Sequence, residues 1–311
     1  MIILKICMNI IDPFDIWFHL KSTNILVCRS GPSYNQPALL NALKALEKMG
    51  VKIVNRGRNY QGLTAEGKQV LASAYQVLHE IGKLKSEINS QKSAPIGNLI
   101  IGSIPSTLPV ASQFAASIFG EFDGLKPTVR SMTSHDLELS LENLSVDIAF
   151  GYTERPTVHM QELRVIPQYE EKYFFIKRNV SSDSFGPISW KEAARSKLSL
   201  LTPEMHNRKL IDIFFKKNNV EIEPVMQTDS IFSLLLSVQS SDLATILSGP
   251  TAKFAKINKE LSVRELTDPA ESTAIGIMIP SSNRLSIVQY AAEEFASSHK
   301  WAKILGDISI P

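Results

Sequence analysis

Cysteine is scarce. Cys7 and Cys28 are the only two among 311 residues, which leaves no disulfide scaffold and no C-x-x-C pair for zinc, and which suits a reducing cytoplasm. Charge of one sign is also missing in bulk: the formal net charge is +2, so overall charge names no partner. No stretch is read as the ~18 consecutive apolar residues a membrane span requires. The opening "MIILKICMNIIDPFDIWFHL" is interrupted by Asp12 and Asp15 and is followed by no small-x-small cleavage site, so it is not read as an export signal. Catalytic signatures are lacking as well. The six histidines (19, 79, 135, 159, 206 and 299) are scattered, and none sits in H-E-x-x-H or beside a G-x-S-x-G elbow; no phosphate-binding G-x-x-x-x-G-K-[ST] occurs. His135, Asp136 and His206 read as helix-start or surface residues. The expectation is a non-enzyme with no cofactor, no metal site and no membrane partner.

What is present is an ordinary globular mixture, 44% hydrophobic and 21% charged, with length for about two domains of ~150 residues. The charge is unevenly spread. Residues 1 to 60 hold eight Lys/Arg (5, 21, 29, 44, 48, 52, 56 and 58) against three Asp/Glu (12, 15 and 47), a balance of +5 that leaves −3 for the rest. A basic head on a mildly acidic body suits a small nucleic-acid-binding module joined to something else.

Residues 64 to about 91 predict one long helix. Thr64 is placed to cap it and Glu66 to complement its positive end. Val70, Ala74, Val77, Ile81, Leu84 and Ile88 repeat at the a/d spacing of a coiled-coil seam, while Lys83, Lys85 and Glu87 keep the other face wet. A dimerising linker follows. After "NSQKSAPIGN" (89–98), strands and helices alternate: strand at 99–103, a Ser/Thr/Pro turn and a helix, strand 128–133, helix 135–147, strand 148–153, and a crossing strand at 170–179. The pattern then restarts with strand 197–202, helix 206–219, strand 223–229, helix 230–242 and strand 243–248, and closes with strand 272–280 and helix 285–299. Such alternation predicts parallel sheets with crossover helices in two α/β lobes joined by two crossings, with a cleft at the carboxyl ends of the strands.

In "NQPALLNALKALEKMG" (35–50), Leu39, Ala42, Leu43 and Leu46 form one apolar stripe. Asn35 caps, Pro37 fits the first turn and Gly50 stops the helix. The opposite face carries Gln36, Leu40, Asn41, Lys44, Glu47 and Lys48, residue types that bind base edges and phosphates. "VKIVNRGRNYQGLT" then supplies two short β-like runs around Arg56, Arg58 and Tyr60, a basic loop able to touch a DNA backbone as a wing does.

The order Gln36, Pro37, Ala38, Leu39, Leu46, Glu47, Gly50, Val51, Arg56, Leu63, Thr64 and Gly67 resembles the recognition helix and wing of LysR-type transcriptional regulators, and "LSVDIAFGY" (144–152) is similar to a segment of their sensor domain. The resemblance runs from residue 34 to the C-terminus. It implies an α/β chain with a winged helix-turn-helix at 1–62 and a linker helix at 63–92. Residues 93–311 would form a two-lobed, periplasmic-binding-protein-like (type 2) effector domain, with lobe I at about 93–165 and 270–311 and lobe II at about 166–269. Implied partners are double-stranded DNA, through Gln36, Pro37, Asn41, Lys44, Lys48, Arg56 and Arg58, and a small effector; the assembly would be a homodimer or homotetramer. Four features depart from the family. Asn35 replaces the usual Ser, though it still caps, Leu40 replaces a hydroxyl residue, the stretch between Glu47 and Gly50 is one residue short, and residues 1–33 lack the small-residue helix that braces the recognition helix. The last predicts impaired DNA binding.

Hydroxyl-rich loops follow the strands: Ser103, Ser106 and Thr107; Thr133 and Ser134; Thr202 with Asn207; Ser248 with Gly249. Helix starts and hydroxyls favour anions, and the resemblance maps effector contacts onto Ser106, Thr133 and the neighbourhood of Thr202. The expected effector is a small anion. The competing expectation is a solute-binding protein that delivers a small anion to a transporter, which shares the two-lobed fold but has no use for a basic head.

Overall fold

The computed structural model describes residues 50, 52–56, 60–90, 95–155, 162–179, 186–281 and 285–309. The helix expected at 36–48 and the head at 1–33 lie outside the described residues, together with Gln36, Pro37, Asn41, Lys44, Lys48 and Arg58. By internal contacts the chain falls into two compact units, one holding the described residues up to Lys85 with Asn143–Ser145, the other Ser86–Glu142 and Val146 onward.

In the first unit, β1 (Val54–Arg56) pairs antiparallel with β2 (Tyr60–Leu63), Val54 facing Leu63, a hairpin where the basic loop was expected. Arg56 closes β1. Helix α1 (Ala65–Ser90) follows at once. Thr64 caps it: its hydroxyl oxygen accepts the Gly67 N–H at 2.9 Å, while its own N–H donates to the Ile53 carbonyl at 3.0 Å. Gly67 is required there, because a Cβ would stand 2.1 Å from the Ile53 carbonyl oxygen. Along the seam Val70, Ala74, Val77 and Ile81 are half-buried, whereas Leu84 and Ile88 are 57% and 62% exposed.

The second unit begins with β3 (Gly97–Ser103), a 3-10 turn (Pro105–Thr107), α2 (Leu108–Glu121), β4 (Leu125–Ser131), α3 (Ser134–Glu142) and β5 (Ile148–Tyr152). β3 lies parallel to both β4 and β5, Ile101 facing Val129 and Ile148. The 16-residue β6 (Leu163–Arg178) then carries the chain into the second lobe. There β7 (Ile188–Ser189), α4 (Trp190–Ala193), β8 (Ser199–Leu201), α5 (His206–Lys217), β9 (Met226–Thr228), α6 (Ile231–Ser240), β10 (Ala244–Ser248), α7 (Gly249–Ile257) and β11 (Leu261–Thr267) follow. β12 (Ser272–Pro280), α8 (Ile287–Ala296) and α9 (His299–Ser309) return to lobe I.

β6 is the hinge. Its first part, Leu163 to Lys172, pairs with β12, and from Tyr173 onward it pairs with β10 and β11. The second crossing is Thr267–Ser272, held where the Trp190 indole N–H donates to the Pro269 carbonyl at 3.1 Å. Side chains on β6 alternate between layers as a pleat requires: Tyr173 and Phe175 enter the cluster with Trp190, Phe214 and Phe215, while Phe174 and Ile176 pack with Leu234, Leu247 and Ala252. Lobe I has its own core of Leu99, Ile101, Phe114, Phe150, Phe295 and Trp301, and a second cluster around Leu137, Leu141 and Met278. Phe114 meets Phe150, Phe295 and Trp301 edge-on, with centroids 5.3, 5.3 and 5.0 Å away.

Several expectations needed correction. β6 begins at Leu163 rather than 170, because its first half keeps one face exposed and so carries no apolar run. α3 stops at Glu142, five residues early. β12 runs antiparallel to β5 and β6 rather than extending the parallel set, since the chain re-enters lobe I from the far side of the hinge. α7, β11 and α9 were not anticipated. The Gly249–Pro250 start of α7 reads as a turn, yet Pro is well placed in a first helical turn; Ser297 and Ser298 separate α9 from α8.

Candidate functional site

Two lobes meeting along β6 leave a crevice lined from lobe I by Ile104, Pro105, Ser106, Thr133, Ser134 and Tyr152, and from lobe II by Leu201, Met205, His206 and Asn207. Three helix starts face it: the 3-10 turn at Pro105, α3 at Ser134 and α5 at His206. The first N–H groups of a helix have no partner within it and carry partial positive charge. The free space is about 10 Å3, room for roughly one water.

One network spans the lobes through Arg155. Its guanidinium makes a two-pronged ion pair with Glu138 of α3, and its Nη1 donates to His206 Nδ1 at 2.8 Å. The pair is largely dry, the Arg155 and Glu138 side chains being 21% and 6% exposed. His206 packs against the Tyr152 ring at a tilt of 59°, with centroids 4.9 Å apart. Burial, then the neighbouring Arg155 and Lys209, push its pKa down to about 4, so the imidazole is neutral and free to accept at Nδ1.

A second network runs beneath. The Tyr152 hydroxyl lies 3.3 Å from Ser106 Oγ, donates to Glu171 Oε2 at 3.3 Å and accepts from the Asn207 side-chain amide at 3.3 Å. Ser248 Oγ donates to the Ser106 carbonyl at 3.3 Å. Glu171 is fully buried on β6, and its Oε1 meets no partner in hydrogen-bonding geometry. Desolvation drives its pKa up to about 8, only partly offset by the Ser106, Tyr152 and Ser248 hydroxyls, so the carboxyl keeps its proton at neutral pH. The same burial, reinforced by Glu171, raises the Tyr152 phenol far above its ordinary range.

Among the residues singled out from sequence, the structure brings Ser106, Thr133 and Ser134 to the crevice wall. Thr133 also caps α3, its Oγ1 accepting the Asp136 N–H at 3.1 Å and donating to Asp136 Oδ2 at 3.0 Å. Ser103 and Thr107 lie beneath the wall, their hydroxyls engaged with each other at 2.9 Å and with the Ile104 and Phe150 carbonyls. Thr202 stands just before α5 with its Oγ1 buried and outside hydrogen-bonding geometry; it still helps the backbone N–H of exposed Glu204 lower that carboxyl's pKa. Ser248 is buried at the hinge. Sequence reasoning did not name Glu138, Tyr152, Arg155 or Glu171, and it read His206 as a surface or helix-start residue. The available signal for Glu171 was a carboxylate inside the apolar run "YEEKYFFI", where alternation turns one of two adjacent glutamates inward.

The family model for the LysR substrate binding domain matches residues 92–298. The chain belongs to the LysR family of transcriptional regulators. Among curated relatives, the SDS degradation transcriptional activation protein of Pseudomonas sp. is 31% identical over 44% of this chain and 43% of its own length. The regulator TdcA of Escherichia coli is 22% identical over 83% of this chain and 77% of its own. Full-length CbnR, solved with its target DNA, superposes with a TM-score of 0.63 at 14% identity, over 84% of this chain and 89% of that one; at this identity the likeness concerns the fold. The two-lobed unit of this LysR-type regulator is thus its substrate-binding domain. Among the described residues no helix is long and apolar enough to cross a membrane.

Proposed function

We propose that this LysR-type regulator binds operator DNA from the cytoplasm as a homo-oligomer and takes a small anionic metabolite into the crevice between its lobes. The observation that carries the ligand reading is the convergence of three helix starts on one crevice, with Ser106, Thr133 and Ser134 on one side and His206 and Asn207 on the other. Helix starts present N–H donors and favour negative charge, and hydroxyls add donors without adding charge. Thr202 and Ser248 flank this wall and Ser103 and Thr107 brace it. An incoming carboxylate competes with Asp136 for the Thr133 hydroxyl. The Leu84 and Ile88 end of the α1 seam, left open in a single chain, suits pairing of two such helices.

Gln36, Pro37, Asn41, Lys44, Lys48, Arg56 and Arg58 are the residues proposed to meet DNA, and residues 1–33 are proposed to weaken that contact. Selection of genomic fragments by the full chain, followed by gel-shift titration, tests this: weak but sequence-selective binding is expected, no selective binding would strike the DNA-binding reading, and tight, sequence-specific binding would overturn the proposal for the head. Titration calorimetry of the full chain against a panel of metabolic carboxylates tests the sensor. At least one member should bind, and silence across the panel would remove the anion reading.

A further inference from the structure

Glu171 lies behind the crevice wall, in contact with the Tyr152 hydroxyl and two residues before β6 changes lobes, with none of its surface exposed. Its Oε2 is met by the Tyr152 hydroxyl, and although the Ser106 and Ser248 hydroxyls stand near enough to favour its charged form, its Oε1 has no partner in hydrogen-bonding geometry. A buried acceptor left unmatched is costly and is kept where something else uses it. Both Tyr152 and Ser106, the nearest groups above it, line the crevice. We propose that the ligand of this crevice is a small zwitterion, an amino acid, whose carboxylate lies against Ser106, Thr133 and Ser134 and whose ammonium group pairs with Glu171. This rests on the reading of the crevice as the effector site and narrows the class of effector.

Charge matching favours a ligand of both signs. Arg155 is already neutralised by Glu138, so a bare anion gains only helix starts and hydroxyls. A bare cation gains Glu171 but faces the positive helix ends. A molecule with a carboxylate and an ammonium a few bonds apart satisfies both. Because the free space is now about 10 Å3, entry requires the Arg155–His206 bridge to part, which opens the crevice above Tyr152.

Proton bookkeeping gives the proposal a signature. The titratable groups facing Glu171 are the phenols of Tyr152 on β5 and of Tyr169 and Tyr173 on its own strand, all raised by burial and by Glu171 and therefore neutral. His206 is neutral and the Arg155–Glu138 pair carries no net charge. An arriving ammonium group keeps its own protons and ionises Glu171, whose proton passes to the buffer. Binding at pH 7 should therefore release close to one proton, and affinity should climb about tenfold per pH unit until pH nears the Glu171 value of about 8.

The experiment is titration calorimetry on the full chain with the standard L-amino acids. Each is paired with the 2-hydroxy acid that replaces its ammonium by hydroxyl and with the amine that lacks its carboxylate, and runs are made in phosphate and in Tris to count protons. The expected result is binding of an amino acid with proton release at pH 7 that vanishes near pH 9. The matching hydroxy acid and amine should each be weaker by at least about tenfold, and Glu171→Gln should weaken the amino acid similarly and abolish proton release. The proton count on the unmodified protein stands even if Glu171→Gln fails to fold. Equal binding of the hydroxy acid, binding without proton release at pH 7, or no amino acid binding overturns the inference. Binding of hydroxy or dicarboxylic acids in place of amino acids overturns it while leaving the anion-sensor reading intact, whereas absence of any operator strikes the DNA-binding reading alone.

Discussion

The interiors of the two lobes and the crevice between them are buried to similar degrees but are built from opposite materials. Inside lobe I, Phe114 packs edge to face against Phe150, Phe295 and Trp301, and the one polar group of these rings, the Trp301 indole N–H, donates to Gln168 Oε1 at 2.6 Å. A few residues away, Glu138, Arg155, Tyr152, Glu171 and Asn207 are held together by hydrogen bonds and an ion pair that leave Glu171 Oε1 unmatched. The dry interior has one best arrangement and is stabilised by contact; the polar crevice can trade its partners for others at small net cost, because net hydrogen-bond contributions are modest.

The largest expected effect tests the dry side. Phe114→Ala removes the ring at the centre of the lobe I cluster and should cost about 4 kcal/mol, read as a lower urea midpoint with unchanged slope. The next tests the charged exception inside that lobe. Asp147 is buried, its Oδ2 accepting the Ile100 N–H at 2.7 Å, and burial raises its pKa to about 6 despite that bond and the nearby Arg130. A carboxyl whose folded pKa lies above its ordinary value contributes stability that is fully present below the unfolded pKa and lost as pH rises through the folded one. Asp147→Asn, which keeps an acceptor for Ile100, should leave stability unchanged in acid and raise it by roughly 3 kcal/mol above pH 6; urea titrations on either side of that pH check it. By the same sign, Glu171→Gln should remove a loss of stability that the unmodified protein suffers as pH climbs through about 8.

The crevice gives smaller numbers. Arg155→Ala takes the two-pronged cation away from the dry Glu138 carboxylate and should cost about 2 kcal/mol, below the range for a wholly buried pair because Arg155 keeps 21% of its exposure. The double variant Glu138→Ala/Arg155→Ala should regain most of that, and failure to regain it would show that the pair matters for packing rather than for charge. Smallest is Thr133→Ala, which loses the cap of α3 and should cost about 1 kcal/mol. Its ligand affinity should fall by more than its stability loss explains if the crevice wall meets the effector.

How much of this was legible follows from the range of the interactions involved. The Thr64 cap, the α1 helix and the β1–β2 hairpin are governed by neighbours within a dozen residues, and they stand where the pattern put them. β5 and β10, buried throughout, are short apolar runs and were located to within a residue. α9 and β11 were missed because each is charged at intervals and packs against elements distant in sequence. In the crevice, hydroxyls after strands pointed to Ser106, Thr133 and Ser134. No local rule marks Arg155, which follows a strand end, or distinguishes Glu171 from Glu170.

The sequence by itself determined the alternation of strands and helices, the capped helix α1 with its heptad spacing and the family to which the chain belongs, since these are written in periodicity and in ordered motifs. Only the tertiary structure decided that β6 serves two lobes, that β12 returns antiparallel, and that residues as far apart as Glu138, Arg155, Glu171 and His206 meet. The reason is physical. Burial and pairing across the hinge fix which carboxyl loses water and which cation neutralises it, and neither quantity exists until the lobes close.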